Sequence, residues 1–502
     1  MAKGWWLFCS FLVMCLSISV QVECIGVNWG TQSSHSLPPK GVLQMLKDNG
    51  IHKVKFFDVE TPILKALAGS GLDVMIGVPN HRLADMGDYN KAKQFVKENV
   101  TSFNPTSKDG VNITMVGIGN EPFLQAYKDL YINLTLPALE NVQRALDEAK
   151  LGHIKATIPF NGDIYTAPYT HYVPSAGKFR DDIRDAVLPI LKALDKSKAP
   201  FMVNIYPYLA LYQGQGNFPI DYAFFDGTDA PVIDGEVKYD NLYEANLDTL
   251  AAALTGEGFG NMSIIVGEIG WPTDGDINAN ASMASRFMNG MMKRVASGKG
   301  TALRPGYTEI YLFGLLDEDG KSVDPGDFER HWGILTYDGQ PKYDFDLKGE
   351  NKTFVKGVKD VKYLEKKYCI AKADVTDKKA LDEAISYACD RTDCTASVPG
   401  ASCGSLDDNA KASYAFNSYF QTMNQAKENC DFGGLAEITD KDISQGTCKF
   451  SIQLADIPAT PPTAAPKASS PGATPVEGSA STGRPLQMAL ALSAIILASI
   501  VL

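Results

Sequence analysis

Between residues 25 and 346 short apolar runs recur, separated by stretches whose apolar positions fall three and four apart. The runs cover 25–30, 54–58, 74–79, 113–121, 154–160, 201–208, 264–272 and 309–316. The seventh, Ile264-Ile265-Val266-Gly267-Glu268-Ile269-Gly270-Trp271-Pro272, has the look of a strand buried on both faces. The stretches between predict helices, for example over 39–49, 62–68, 90–99, 136–149 and 282–296; the first is entered at Pro39 and closed by Gly50, the usual punctuation of a helix. Strands alternating with helices argue for a parallel sheet. Eight such repeats predict an α/β fold, a (β/α)8 TIM barrel. The alternative is an open doubly wound sheet. That fold would want a phosphate-cradling glycine loop after its first strand, and Gly26-Val27-Asn28-Trp29-Gly30 lacks the G-x-G-x-x-G spacing.

The pattern changes at both ends and after the barrel. Lys3 followed by the apolar run from Trp5 to Val20 reads as a secretory signal peptide over 1–24, with cleavage close to Cys24. Residues 347–367 form a charged connector, and a cysteine-rich module runs over 368–450. Prolines among Ala, Ser and Thr make 451–480 a stiff spacer that packs no core. Residues 486–502 are apolar apart from Gln487, Ser493 and Ser499, and no basic residues follow them. With the small-residue patch Gly478-Ser479-Ala480-Ser481 in front, this fits a GPI-attachment signal with Ser479 as the attachment residue and 481–502 as the propeptide.

Composition narrows the chemistry. The formal net charge is −12 with no Lys/Arg-rich run, which argues against nucleic-acid binding. The six histidines, at 35, 52, 81, 153, 171 and 331, lack ligand spacing, so neither a metal site nor a cofactor is expected. Of nine cysteines, Cys369, Cys389, Cys394, Cys403, Cys430 and Cys448 share one short segment. An even set in an exported chain reads as three disulfides with fifteen possible pairings. Sequons stand at Asn99, Asn112, Asn133, Asn261, Asn280 and Asn351, each a glycosylation candidate.

Two runs end alike. Ile113 to Pro122 closes on Gly119-Asn120-Glu121-Pro122, as the seventh run closes on Gly267-Glu268 before a proline. A strand buried on both faces has no cheap place for a lone carboxylate, whereas side chains at C-terminal strand ends of a barrel do chemistry. Two such glutamates facing each other suit glycoside hydrolysis: one protonates the leaving oxygen, the other acts as nucleophile about 5 Å away if configuration is retained. Asn120, Trp271 and the aromatic strand end Asn204-Ile205-Tyr206-Pro207-Tyr208 would suit the apolar faces and hydroxyls of a sugar, although buried packing is an equal reading for each tyrosine.

Gly117-Ile118-Gly119-Asn120-Glu121 and Val266-Gly267-Glu268-Ile269-Gly270-Trp271-Pro272, with Ile25 to Gly30 and Val203 to Tyr208, resemble plant glycoside hydrolase family 17, the glucan endo-1,3-β-glucosidases. The resemblance implies Glu121 as general acid/base, Glu268 as nucleophile and Asn120 as a partner of the sugar beside the cleavage point. Glu318 and Lys321 match an active-site Glu and Lys of the family, and Tyr206 and Trp271 join them as expected substrate-binding residues. Ile269 stands where the family usually has Ser or Thr, and Leu316 and Asp319-Gly320 replace the more usual Phe and Asn-x. Ser413 to Phe420 and Cys430-Asp431-Phe432-Gly433-Gly434 resemble carbohydrate-binding module family 43. That resemblance implies the pairs Cys369–Cys430, Cys389–Cys394 and Cys403–Cys448.

The expectation is therefore a monomeric, GPI-anchored cell-surface hydrolase acting on 1,3-β-glucan (callose). Two alternatives stay open: a wall or plasmodesmal glucan-binding protein with weak or absent catalysis, motivated by Ile269, and a transglycosylase.

Overall fold

The computed structural model describes residues 25–103, 110–168, 171–214, 216 and 218–455. The expected signal peptide, Ser479 and the 481–502 propeptide lie outside the described residues.

Nine parallel strands form the main sheet: β1 Ile25–Asn28, β2 Lys53–Lys55, β3 Asp73–Val78, β4 Asn112–Ile118, β5 Lys155–Thr157, β6 Pro159–Phe160, β7 Phe201–Asn204, β8 Ile264–Ile269 and β9 Glu309–Leu312. In space the order is β5-β4-β3-β2-β1-β9-β8-β7-β6. The two outer strands are consecutive in the chain, separated by Ile158 alone. The sheet therefore closes into a barrel through one interrupted strand, whose first half pairs with β4 and second half with β7. The interruption falls at Ile158, just before Pro159, which has no N–H to donate to a ladder.

The helices pack outside. In α1 (Pro39–Asp48) the buried residues Val42, Met45 and Leu46 share one face, the spacing of an amphipathic helix. It is followed by α2 (Thr61–Leu67), α3 (Tyr89–Asn99), α4 (Ile132–Glu148), α5 (Arg184–Ser197), α6 (Leu242–Gly256) and α7 (Ala281–Ala296). The α4 helix begins four residues before the start predicted at 136, so Pro137 sits within it and not in its first turn. Inside the barrel Met75, Met115, Met202, Ile265 and Tyr311, one from each of five strands, form a separate buried cluster. Apolar side chains fill that level, and the polar ones gather at the strand ends.

The six cysteines hold a second, smaller unit. Its strands β10 (Tyr368–Ala371) and β11 (Ala436–Thr439) pair antiparallel, and its helices α8 (Lys378–Cys389) and α9 (Asp408–Thr422) are capped by Asp377 and Asp407. Disulfides join Cys369 to Cys430, Cys389 to Cys394 and Cys403 to Cys448. Phe416, Tyr419 and Phe420 are buried in this unit's core, and Tyr414 packs on Phe450. Packing continues past 450: Leu454 is buried and the Ala455 amide donates to the Lys362 carbonyl at 2.9 Å. The connector is also packed, since Val355 and Val358 join the barrel core and Lys356 and Lys359 are tied to Asn49 and Asp48.

The sequon residues Asn112, Asn133, Asn261 and Asn351 are exposed; Asn99 and Asn280 are half-buried, and Asn280 caps α7. Among the described residues no helix is long and apolar enough to cross a membrane.

Candidate active site

Glu268 lies at the end of β8 and is 4% exposed. The pairing of β8 with β7 slips between Val266 and Glu268, which sets Glu268 opposite Asn204. Its Oε1 accepts from Lys55 Nζ at 2.7 Å and its Oε2 from the Tyr206 hydroxyl at 2.6 Å. Lys55 also donates to Asn28 Oδ1 at 2.7 Å and stands 4.1 Å from the centre of the Phe57 ring. A buried ion pair is sustainable only when its remaining hydrogen-bonding capacity is met, and here Asn28 and Tyr206 help to meet it. Burial pulls Lys55 below its ordinary range while Glu268 pushes back. Burial, and then the Glu268 carboxylate, drive Tyr206 well above its own, so the phenol stays protonated and donates.

Glu121 lies just past β4 and is reached through a tight turn. Gly119 adopts φ 72° and Glu121 itself φ 50°, a left-handed conformation uncommon for residues with a Cβ. The turn is clamped from outside: Asn80 Oδ1 accepts from the Asn120 amide at 2.9 Å and Asn80 Nδ2 donates to the Asn120 carbonyl at 2.8 Å. The Glu121 amide donates to the Pro159 carbonyl at 2.8 Å, at the break between β5 and β6. Asn204 Nδ2 then donates to Glu121 Oε1 at 2.8 Å. Burial, with the negative charge of Glu268 second, pushes the Glu121 carboxyl up to about 7, against the Asn204 hydrogen bond and the more distant Lys55. One glutamate is thus paired with a cation and a phenol, while the other is poised to hold a proton near neutrality. A carboxyl raised in this way beside a second carboxylate marks a candidate general acid.

The remaining sequence-predicted residues divide. Asn120 adjoins Glu121 with its Oδ1 buried and unpartnered. Glu318 is buried, accepts from the Gln32 amide at 2.8 Å, and fills the space beside Gly30, where a Cβ would come within 2.1 Å of its carboxylate. Lys321 donates to Glu329 Oε2 at 2.6 Å and lies 4.5 Å from the centre of the Phe313 ring. That ring meets Tyr206 and Trp332 at 5.9 and 5.7 Å, which links Lys321 to the Glu268 neighbourhood. Trp271 departs from the expectation of a sugar platform. It is 1% exposed, donates to the Asn278 carbonyl at 2.9 Å and stacks on Phe224 in the core. A proline-ended loop turns it inward, and Tyr208 is buried beside it. Lys55, Glu329 and Trp332 escaped the sequence reading, and Asn204 entered it only as part of the aromatic strand end, without its bond to Glu121. Lys55 had a signal: a lysine between Val54 and Phe56-Phe57 sits in a buried strand and must have a partner. Among the described residues no cluster of three or more His, Cys, Asp or Glu could hold a metal ion.

Residues 25–347 match the family model for glycosyl hydrolases family 17, and residues 367–437 match the X8 domain. The chain is 52% identical over 446 residues to glucan endo-1,3-beta-glucosidase 8 of Arabidopsis thaliana, an alignment spanning 88% of this chain and 92% of that protein. It is 48% identical to glucan endo-1,3-beta-glucosidase 5 of the same plant, over 89% of this chain and 92% of the relative. Among solved structures it resembles CJP38, a beta-1,3-glucanase and allergen of Cryptomeria japonica pollen, with a TM-score of 0.60 and 33% identity over 64% of this chain and 98% of that one. A structure of plant beta-glucan endohydrolases matches with a TM-score of 0.57 and 30% identity, over 64% of this chain and 99% of the other.

Proposed function

Because the chain belongs to glycosyl hydrolases family 17 and carries an X8 domain, we propose that it hydrolyses internal 1,3-β-D-glucosidic bonds of 1,3-β-glucan with retention of configuration. The observation that carries this reading is the pairing of Glu121, pushed up to about 7, with Glu268 in the grip of Lys55 and Tyr206. An oxygen of the Glu268 carboxylate attacks the anomeric carbon. The bond from that carbon to the bridging oxygen breaks as Glu121 gives its proton to that oxygen, which departs as a hydroxyl. Water then attacks the glycosyl-enzyme: Glu121, now a carboxylate, takes a proton from it, and Glu268 leaves as a carboxylate. Tyr206, Glu318 and Lys321 contact the sugar from the Glu268 side and Asn120 from beside Glu121, and Asn204, by donating to Glu121 Oε1, leaves Oε2 to carry the proton.

The X8 unit adds affinity for the polysaccharide. The chain acts as a monomer at the outer face of the plasma membrane, GPI-anchored through Ser479, where callose of the wall or plasmodesmata is the substrate. A catalytically weak binding protein would rest on Ile269. That side chain is wholly buried in the barrel core, which supports a packing role for it. The test is product analysis on a defined 1,3-β-gluco-oligosaccharide. Wild type releases shorter products of retained β-configuration, and Glu268→Gln abolishes turnover while leaving binding measurable. Products that lengthen as well as shorten would redirect the reading to transglycosylation, and loss of binding together with turnover would make Glu268 structural.

A further inference from the structure

The turn carrying Glu318 and Lys321 is braced from behind by the six-cysteine unit. Glu318 faces the barrel mouth at Gln32, while its neighbours Asp317 and Asp319 line a cavity of about 780 Å³ between the barrel and that unit. Arg330 spans the two sides. Its carbonyl accepts from the Glu318 amide at 3.3 Å and its Nε donates to the Lys321 carbonyl at 2.8 Å, so one residue holds both ends of the turn. Its Nη1 reaches across the boundary and donates to Asp393 Oδ1 at 3.2 Å.

Asp393 is itself held rigidly. It accepts from the Thr395 amide at 3.0 Å and the Thr395 hydroxyl at 2.6 Å, and it immediately precedes Cys394, whose disulfide to Cys389 closes a loop of sequence separation 5. His331 Nε2 meets the same Thr395 hydroxyl at 2.6 Å, and the His331 carbonyl accepts from the Thr273 amide at 3.0 Å. Thr273 lies in the loop that follows Glu268, and the next residue, Asp274, accepts from the Ser402 amide at 2.8 Å and also pairs with its hydroxyl. His35, in the loop after β1, meets Asn424 at 3.1 Å. Burial pushes the Asp393 carboxyl up, but His331, Arg330 and the Thr395 hydrogen bonds outweigh it and leave Asp393 below the usual carboxylate range. The loops after β1, β8 and β9 are thus stitched to one disulfide-bonded body, and the last two carry or adjoin the proposed substrate-binding residues.

We propose that the X8 unit is a working part of the catalytic face: Asp393, acting through Arg330, positions the Glu318–Lys321 turn, so the unit supports cleavage even of a glucan too short to occupy its own surface. This rests on the glucanase reading above. Asp393 is a positioning residue, and a module that merely adds affinity for polymer would leave short-substrate kinetics untouched.

The experiment uses the full chain and a soluble 1,3-β-linked gluco-pentasaccharide. Asp393→Asn keeps shape and removes the charge that orients Arg330. It lowers kcat/KM about ten-fold, mostly through KM, the effect of weakening one charge-assisted hydrogen bond behind a binding group. Arg330→Gln lowers it at least as much, and the double variant is no worse than Arg330→Gln alone, since the two residues act as one unit. Lys379→Ala, on the exposed side of α8, stays at wild type. Wild-type kinetics for Asp393→Asn, or its full loss reproduced in the Arg330→Gln background, would overturn the proposal. If Asp393→Asn does not fold, Arg330→Gln alone carries the test, and wild-type kinetics there overturn the proposal equally. Should the wild type cleave no glucan, the functional reading fails on its own. Positioning is then read from pentasaccharide binding to Glu268→Gln, which Asp393→Asn weakens about ten-fold if the proposal holds and leaves unchanged if it does not.

Discussion

Glu121 and Glu268 are the same residue type made different by their neighbours, and the difference fixes a pH dependence. The carboxyl of Glu121 is raised to about 7, so the acid needed for bond cleavage is present below that pH and lost above it. A kcat/KM profile on a soluble glucan should therefore fall as pH rises through about 7, and the Glu121→Gln variant should lack that limb. The same shift has a stability side. A group whose folded pKa lies above its unfolded value favours the folded state at low pH and loses that contribution as pH rises through the folded value. Glu121→Gln should thus unfold a few degrees higher than wild type at pH 8, a difference on the order of 3 kcal/mol, and at about the same temperature at pH 4; equal melting at both would refute this. Lys55 makes the complementary case. Replacing it with Met strands a buried carboxylate, and breaking a buried pair costs about 3–5 kcal/mol. Lys55→Met should lower both melting temperature and turnover, the latter at least about a hundred-fold. The two glutamates were legible in the sequence because each ends an apolar run. The hydrogen bonds of Lys55, Asn204 and Glu329 were not, since strand pairing and loop closure bring them together from positions far apart in the chain.

At the scale of elements the apolar spacing located the barrel strands, and it could not say how each one ends. The fifth run divides at Ile158 to close the barrel, a break that hydrophobicity cannot register because Ile158 and Pro159 are both buried. The start of α4 moved for a related reason: Pro137 reads as a helix opener, and packing of Thr135, Ala138 and Leu139 draws the preceding turn into the helix. Trp271 shows the deeper limit, since a strand-end aromatic looks the same in sequence whether its loop turns outward or in. Glycines separate fold from function here. At Gly270 a Cβ would come within 1.8 Å of the Phe313 carbonyl oxygen, a backbone atom that cannot step aside; at Gly30 the obstacle at 2.1 Å is the end of the Glu318 side chain. Gly270→Ala should therefore cost expression and melting temperature. Gly30→Ala should keep its melting temperature within a few degrees and raise KM by displacing Glu318, about ten-fold by the usual worth of a charged contact, a contrast that paired thermal unfolding and kinetics would check.

For the whole molecule, the cysteine pattern marked a disulfide-bonded unit, whereas nothing in the spacing said where that unit would sit. The Cys369–Cys430 bridge closes a sequence separation of 61, for which loop-closure entropy alone is worth about 4 kcal/mol. Replacing both cysteines with Ser should unfold the X8 unit well before the barrel, seen as a second, earlier transition in calorimetry. The packed connector and the chain's continued packing to Ala455 leave no free hinge between barrel and X8 unit among the described residues. Contacts through Asp274, Arg330, His331 and His35 have a hydrodynamic consequence. Two domains on a loose tether tumble separately, each with the short rotational correlation time of its own mass. Here the X8 unit should instead share the slow correlation time of the barrel, so that a fluorophore attached to α8 reports the rotation of the whole particle and gains fast motion only when Arg330 and Asp274 are replaced.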